Sequence, residues 1–321
     1  MISDDEFIKL WHRLQSANEI SKELGINVRN VFSRRTNIEK KRGIILPSRA
    51  PNAYRDDIDV VKVIQSSRRD VNRIEIDNGI IIVASDCHYS PGVIPVAHQA
   101  LLEVIKELGK QVKFVVLNGD ILDGGAISRH ARIRWKKPPS VKEELDAVIA
   151  RTEEIRAAVV KGTKLMRTYG NHCARFESRL SAYVPEFEGV GGFLLKDHLP
   201  HWMDSDRIDV NDDAVIIHDW HSGVHSGWND VLKGGCHTVT GHTHELGCKA
   251  HRGFKKTHYG IKTGMLADED QAEFDYRLGK PGLNWQSGFA VLTWSDGMLL
   301  FPEFCAVRDD GSAYFRGKKV S

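Results

Sequence analysis

FVVLNGDILDGG, residues 114–125, is the stretch whose reading decides the fold. Phe114 to Leu117 form a short apolar run of the kind a buried parallel strand needs, and Asn118-Gly119 lets the backbone turn sharply after it. Asp120 therefore stands at the carboxyl end of a strand, the edge where ligands collect in open α/β sheets. One such Asp is ordinarily a turn or cap residue. Its meaning changes because four other apolar runs end in the same way: Ile80–Val83 leads into Asp86-Cys87-His88, Lys164–Thr168 into Gly170-Asn171-His172, Ala214–Ile217 into His218-Asp219-Trp220-His221, and His237–Thr240 into Gly241-His242-Thr243-His244. Helical patterns at 96–108 and 141–160 separate the first of these strands, giving strand-helix alternation. Imidazole, carboxylate and amide oxygen form a mixed N/O ligand set suited to Mn, Fe or Zn, and seven or more such groups exceed what one ion needs. Two ions sharing a carboxylate are implied.

With 321 residues the chain can bury a large core, with an appendage or a second domain beside it. A net charge of +2 excludes little. Its distribution is more telling: Arg29, Arg34, Arg35, Lys40, Lys41, Arg42 and Arg49 stand against one acid, Glu39, in that segment. The five cysteines (87, 173, 236, 248 and 305) are odd in number and contain no CxxC pair, so neither a disulfide framework nor a structural zinc site is indicated. A reducing, cytoplasmic setting is expected, with no membrane partner, because no apolar run approaches 18 residues and no secretory leader pattern opens the chain.

Ser3-x-x-Glu6 and Ser16-x-x-Glu19 are capping-box patterns, each followed by apolar residues at helical spacing. Gly25-Ile26 makes a turn, Asn27 caps a third helix with Val28, Val31, Phe32 and Ile38 as its apolar side, and Gly43 ends it. Helix, Gly turn, helix resembles a helix-turn-helix, with Arg29, Asn30, Ser33, Arg34 and Asn37 on its open face and Arg35 beside them as nucleic-acid contacts. A small helical bundle for docking or dimerisation is the alternative. Domains are expected at 1–48 (helical), 49–72 (linker, with a short helix over 56–65) and 73–321 (catalytic). A hairpin is expected over 72–84, and a mainly β second layer over 258–318.

The motif order D-x-H, G-D-x-x-D, G-N-H, H, G-H-x-H resembles the calcineurin-like metallophosphoesterase superfamily over residues 74 to about 310, and GDILDGGAISRH, GNHCARFESRL and WQSGFAV resemble a phage and prophage subgroup with an N-terminal helix-turn-helix. The resemblance implies a four-layer α/β/β/α sandwich, of mixed α/β (α+β) class, behind a small helical head. It implies that Asp86, His88 and His244 hold one divalent ion, that Asn171, His218 and His242 hold the other, and that Asp120 bridges them. Mn is the expected metal, with Fe, Zn, Ni or Mg as substitutes. The family shows His-Gly at the fifth motif where this chain has HDWHSG, so His221 stands as an alternative to His218.

Two ions ~3.5 to 4 Å apart supply a bridging hydroxide at neutral pH and neutralise charge on the phosphoryl oxygens, so no covalent protein nucleophile is required. His172 is placed to protonate the leaving oxygen, and Asp123 resembles the family's orienting partner for it. Gly124 stands where many family phosphatases carry a phosphate-clamping Arg, which favours diesters; Arg129 or Arg175 could replace the clamp. Cys87 and Cys173 read as small buried hydrophobes. The expected function is a phosphodiesterase acting on nucleic acid. A phosphomonoesterase with a docking head, and a DNA-binding regulator carrying an inactive hydrolase domain, are the rivals.

Overall fold

A computed structural model describes residues 2–47, 62–65, 71–130, 135–277 and 283–321. The chain divides into two compact units, Met1–Asp57 and Ile58–Ser321, and no described helix is long and apolar enough to cross a membrane.

The first unit holds helices α1 (Asp4–Leu14), α2 (Ala17–Leu24) and α3 (Val28–Arg42). Ser3 and Glu6 close a reciprocal capping box, Ser16 accepts the Glu19 amide, and Gly25 and Gly43 end their helices in the left-handed conformation. Phe7, Leu10 and Trp11 of α1 pack against Ala17, Ile20, Val31, Ile38 and Leu46. Phe32, expected on the inward side of α3, is 52% exposed instead. The inward stripe runs 31, 34/35, 38, at helical period, and its middle positions are arginines. Arg34 lies over the Phe7 ring and donates to the Ile2 carbonyl; Arg35 lies 4.7 Å from the Trp11 ring centroid and donates to Glu39 (2.9 Å) and the Leu46 carbonyl (2.6 Å). Arg34 is expected on the open face and Arg35 beside it, both as nucleic-acid contacts, yet both are committed to packing.

The second unit contains sixteen described strands in two sheets. In chain order they are β1 (Lys62–Gln65), β2 (Val71–Glu75), β3 (Gly79–Ala84), β4 (Val112–Asn118), β5 (Lys164–Thr168), β6 (Met203–Ser205), β7 (Arg207–Val210), β8 (Ala214–Ile216), β9 (His237–Thr240), β10 (Leu246–Arg252), β11 (Thr257–Thr263), β12 (Gly288–Ser295), β13 (Met298–Leu299), β14 (Glu303–Val307), β15 (Ala313–Phe315) and β16 (Lys318–Lys319). The helices are α4 (Val96–Leu108), α5 (Val141–Ala158), α6 (Cys173–Tyr183) and α7 (Ser226–Gly234). One sheet runs β16-β15-β14-β12-β3-β4-β5-β6, with β13 on β12; the half from β3 to the edge strand β6 is parallel. The other runs β1-β2-β7-β8-β9-β11-β10.

Why β3 and β4 are apolar almost throughout follows from their two buried faces. Ile80, Ile82, Val115 and Leu117 face a cluster shared with α4 and α5, while Ile81, Val83, Phe114 and Val116 interdigitate with Ile208, Ile216, Val239 and Ile261 of the opposite sheet. Helix α7 covers the outer side of β9, β10 and β11. The result is the expected α/β/β/α sandwich.

Three local expectations change. Residues 62–65 are strand, not the end of a helix, and the rest of that stretch lies outside the described residues. No 72–84 hairpin forms: β2 pairs with β1 and β7, whereas β3 pairs with β4 and β12, so the chain passes between sheets at Ile76–Asn78. The late strands do not build the second layer either. From β12 onward they extend the β3–β6 sheet in antiparallel fashion, and among the described residues of that region only β11 joins the other.

Candidate metal centre

The two sheets bring their strand ends together, and the motif residues meet there. One ligand atom from each of Asp86, His88 and His244 lies within 4.8 Å of the others, and the same holds for Asp120, His218 and His242. His218 Nε2 links the groups, 3.1 Å from Asp120 Oδ2 and 4.0 Å from Asp86 Oδ1. Asn171 Oδ1 is 3.0 Å from His242 Nδ1, which joins the asparagine to the second cluster.

Whether these groups fit cations is tested by what their lone pairs do. Asp86 Oδ1, His88 Nε2, His218 Nε2 and His244 Nδ1 are buried without a hydrogen-bond partner. A buried polar atom left so costs ~1–3 kcal/mol, and a cluster of them at one point is the signature of a site for a cation. The remaining atoms of the same side chains are held firmly. His218 donates Nδ1–H to the Asn118 carbonyl at 2.7 Å, fixing the tautomer that turns Nε2 inward. Asp86 Oδ2 accepts from Ser85 Oγ (2.5 Å) and the His242 amide (2.9 Å); Asp120 Oδ1 accepts the His172 amide (2.8 Å). Although burial opposes ionisation, surrounding histidines hold the Asp86 and Asp120 carboxyls below the ordinary range, Asp120 at about 2. Burial alone would lower His218, yet the Asp120 and Asp86 carboxylates bring it up to about 9. The donor set demands positive charge, and it fits divalent ions.

Backbone geometry carries the same message. Ten described non-glycine residues have positive φ, and Asp86 (51°), His88 (39°), Asp120 (48°), His242 (64°) and His244 (58°) are half of them. Left-handed L-residues are strained and gather at functional sites. Close approach explains two glycines: a Cβ on Gly119 would lie 2.2 Å from His218 Nδ1, and one on Gly170 would lie 2.1 Å from Asp120 Oδ1.

Asp123 Oδ1 sits 3.1 Å from His88 Nδ1 and 3.0 Å from His172 Nδ1, so one carboxylate orients a ligand and the neighbouring His172 together. Burial works against its charge, but both imidazoles hold its carboxyl far below the usual range. His172, despite burial, is raised by Asp123 and Asp120. Arg175 donates to the Asp123 carbonyl (2.9 Å) and reaches His172 Nε2 (3.0 Å), while Arg129 is exposed on the loop after β4.

His221 is not among the clusters. Its Nδ1 donates to Asp230 (2.8 Å) and its Nε2 lies 3.2 Å from Lys233 Nζ. Cys87 and Cys173 are fully buried, and burial pushes both thiols up, as expected of small core residues.

Sequence reasoning missed the supports. Asn118 joins the sheets, its Nδ2 donating to the Ile217 carbonyl and its Oδ1 accepting from Thr168. Glu144 of α5 accepts the Gly124 (2.8 Å) and Gly125 (3.2 Å) amides and so holds the loop carrying Asp123; burial, with Asp123 nearby, pushes its carboxyl up to about 7. The available signal was an acid on the inward stripe of an amphipathic helix, beside Leu145, Val148 and Ile155.

Paired N/O ligand clusters where two sheets meet are the arrangement that a pair of divalent ions requires. Residues 80–264, more than half of the chain, match the calcineurin-like phosphoesterases, and the chain belongs to that family. The Gene 54 protein of Mycobacterium phage L5 is 33% identical over 157 residues, covering 43% of this chain and 59% of that protein, so the chain spans about three-fifths of that relative's length. A crystal structure of wild-type Vps29 complexed with zinc, from Entamoeba histolytica, aligns over 75% of this chain and 99% of that one at 12% identity, with a TM-score of 0.38, a likeness too loose to carry weight.

Proposed function

We propose that the chain is a two-metal phosphodiesterase acting on nucleic acid. The observation that carries the hydrolytic reading is the pair of adjoining ligand clusters with buried, unpartnered lone pairs, linked through His218. Asp86, His88 and His244 would hold one ion, Asn171, His218 and His242 the other, and Asp120 both. Two divalent ions, Mn²⁺ first among them, would supply an activated water near neutral pH and neutralise phosphoryl charge. His172 would deliver the proton to the leaving oxygen from Nε2, with Asp123 against its Nδ1. Arg175 donates to His172 Nε2 in this structure, and as it turns to a phosphate oxygen it would leave that nitrogen free for the proton.

Nucleic acid is favoured by the first unit. Arg29, Asn30, Ser33 and Asn37 are exposed along α3, following the Gly25 turn in the manner of a helix-turn-helix. Gly124, where an arginine clamp for a terminal phosphate is expected, supports a diester. The complete ligand set opposes an inactive hydrolase domain. One observation favours a monoesterase instead, with the head as a docking unit: Arg175 is placed to clamp a terminal phosphate beside His172. The test is purified protein with Mn²⁺ assayed in parallel on bis-p-nitrophenyl phosphate, p-nitrophenyl phosphate and DNA. Turnover of the diester and of DNA above the monoester is expected; the reverse order gives the monoesterase reading precedence.

A further inference from the structure

The His218-Asp219-Trp220-His221 stretch does more than supply one ligand. Asp219 stands 4.0 Å from His242 Nε2, at the edge of the metal centre. Trp220, 41% exposed, stacks on His221 with ring centroids 5.6 Å apart. His221 is held from beneath by Asp230, a fully buried carboxylate that also accepts from Thr240 (3.0 Å) and pairs with the buried Lys262 (3.1 Å). On its other side His221 meets the Lys233 ammonium. From there the outer face of α7 continues with Leu232 and, one turn back, Trp228, each more than two-fifths exposed; Trp228 meets His251 of β10 edge to face at 5.4 Å. Lys249, two residues before His251, lays its stem against Gly227. A strip of two open indoles, two imidazoles and two ammonium groups thus leads away from the metal ligands.

Past Asp219, at its metal end, the strip's charge is one-sided. Between Trp220 and Gly234 the only acid is Asp230, which is buried and fully engaged, and the β10–β11 hairpin from Gly247 to His258 contains no acid at all. A second copy of the chain would bring ammonium against ammonium across a two-fold axis, and an ordinary apolar partner gains nothing from the lysines. Alternating aromatic faces and cations are what an unpaired strand requires: bases stack on the rings while phosphates meet the ammonium groups. A duplex keeps its base faces covered and cannot use the indoles.

We infer that the strip from Trp220 along α7 to His251 binds single-stranded nucleic acid and feeds it to the metal centre. This rests on the nucleic-acid reading above, and it assigns single-strand contact to the catalytic unit, leaving duplex contact to the helical head. Full-length protein in EDTA, which prevents cleavage, is titrated into a labelled oligothymidine of about 12 nucleotides, within the site sizes of single-strand binders, and into a duplex of the same length. Trp220→Ala and Trp228→Ala are each expected to weaken oligothymidine binding about tenfold, within the range of one base-aromatic stack, with duplex affinity retained. Trp228→Phe should recover most of that loss, and Lys233→Glu with Lys249→Glu, both at exposed positions, should weaken oligothymidine binding while the protein stays folded. Wild-type affinity for oligothymidine in all these variants, in a protein that still cleaves nucleic acid, overturns the strip alone. Equal losses on single strand and duplex overturn the single-strand assignment. A wild-type protein that neither binds nor cuts either form removes the nucleic-acid reading and the strip with it.

Discussion

The helical head and the metal centre use their charged and titratable side chains in opposite ways. In the head, Arg34, Arg35 and Arg42 have partners: aromatic faces, backbone carbonyls, Glu39, Asp4 and Asp5. At the metal centre, Asp86, His88, His218 and His244 are more deeply buried yet keep a polar atom without a hydrogen bond. A charge on a surface helix is cheaply satisfied by its neighbours, whereas a buried lone pair left open signals that something else is meant to meet it. Residue type therefore says less about function than the state of a side chain's remaining hydrogen-bonding capacity.

That contrast breaks most visibly at Asp120. Asp120→Asn is expected to lower turnover by about 10³ or more, the scale on which a catalytic unit fails as a whole, with fewer than two equivalents of metal by elemental analysis. Two retained equivalents and wild-type turnover would move the site elsewhere. Next in size is His172→Ala, expected to bind metal normally and to lose about 10² to 10⁴ in rate, less on substrates with good leaving groups. Equal losses on nitrophenol and alkoxide leaving groups would take His172 out of proton transfer. Gly170→Ala should destabilise by about 1–3 kcal/mol, the usual result of overpacking, and weaken metal binding in the same protein, because the added methyl falls on Asp120. Thermal unfolding with and without Mn²⁺ reads both effects; an unchanged melting temperature speaks against the close approach.

The head gives the smaller effects. Arg35→Ala should cost about 1–2 kcal/mol in unfolding of the head, from lost packing on Trp11 and a lost bond to Leu46, with little change in how DNA affinity depends on salt. Arg29→Ala should do the reverse: stability within about 0.5 kcal/mol of wild type, and a salt slope of duplex binding shallower by about 1. If Arg35 rather than Arg29 governs the slope, the division between packing and contact arginines is wrong.

Much of this was legible because it is local. Each ligand follows an apolar run, so the strand-end placement of Asp86, Asp120 and the paired histidines could be read directly, as could the caps at Ser3, Asn27 and Gly43. What was not legible depends on partners distant in sequence. His218 and His221 both follow β8 closely, and they are told apart by Asn118, a hundred residues away, and by Asp230 on α7. β2 and β3 look like a hairpin because their turn is short, but the cores on either side assign them to different sheets. Arg34 and Arg35 look exposed until Phe7 and Trp11 are seen beneath them.

The left-handed backbone at Asp86, His88, Asp120, His242 and His244 bears on how such a chain drifts. Each of these positions would be more relaxed as glycine, and with somewhat less gain as asparagine, so replacing a ligand relieves conformational strain and removes a buried group awaiting a partner. In the absence of metal, loss of catalysis is therefore the thermodynamically downhill direction for this sheet edge, and inactivated descendants should melt higher than the metal-free parent. Folding gives no incentive to retain the constellation; only its use does.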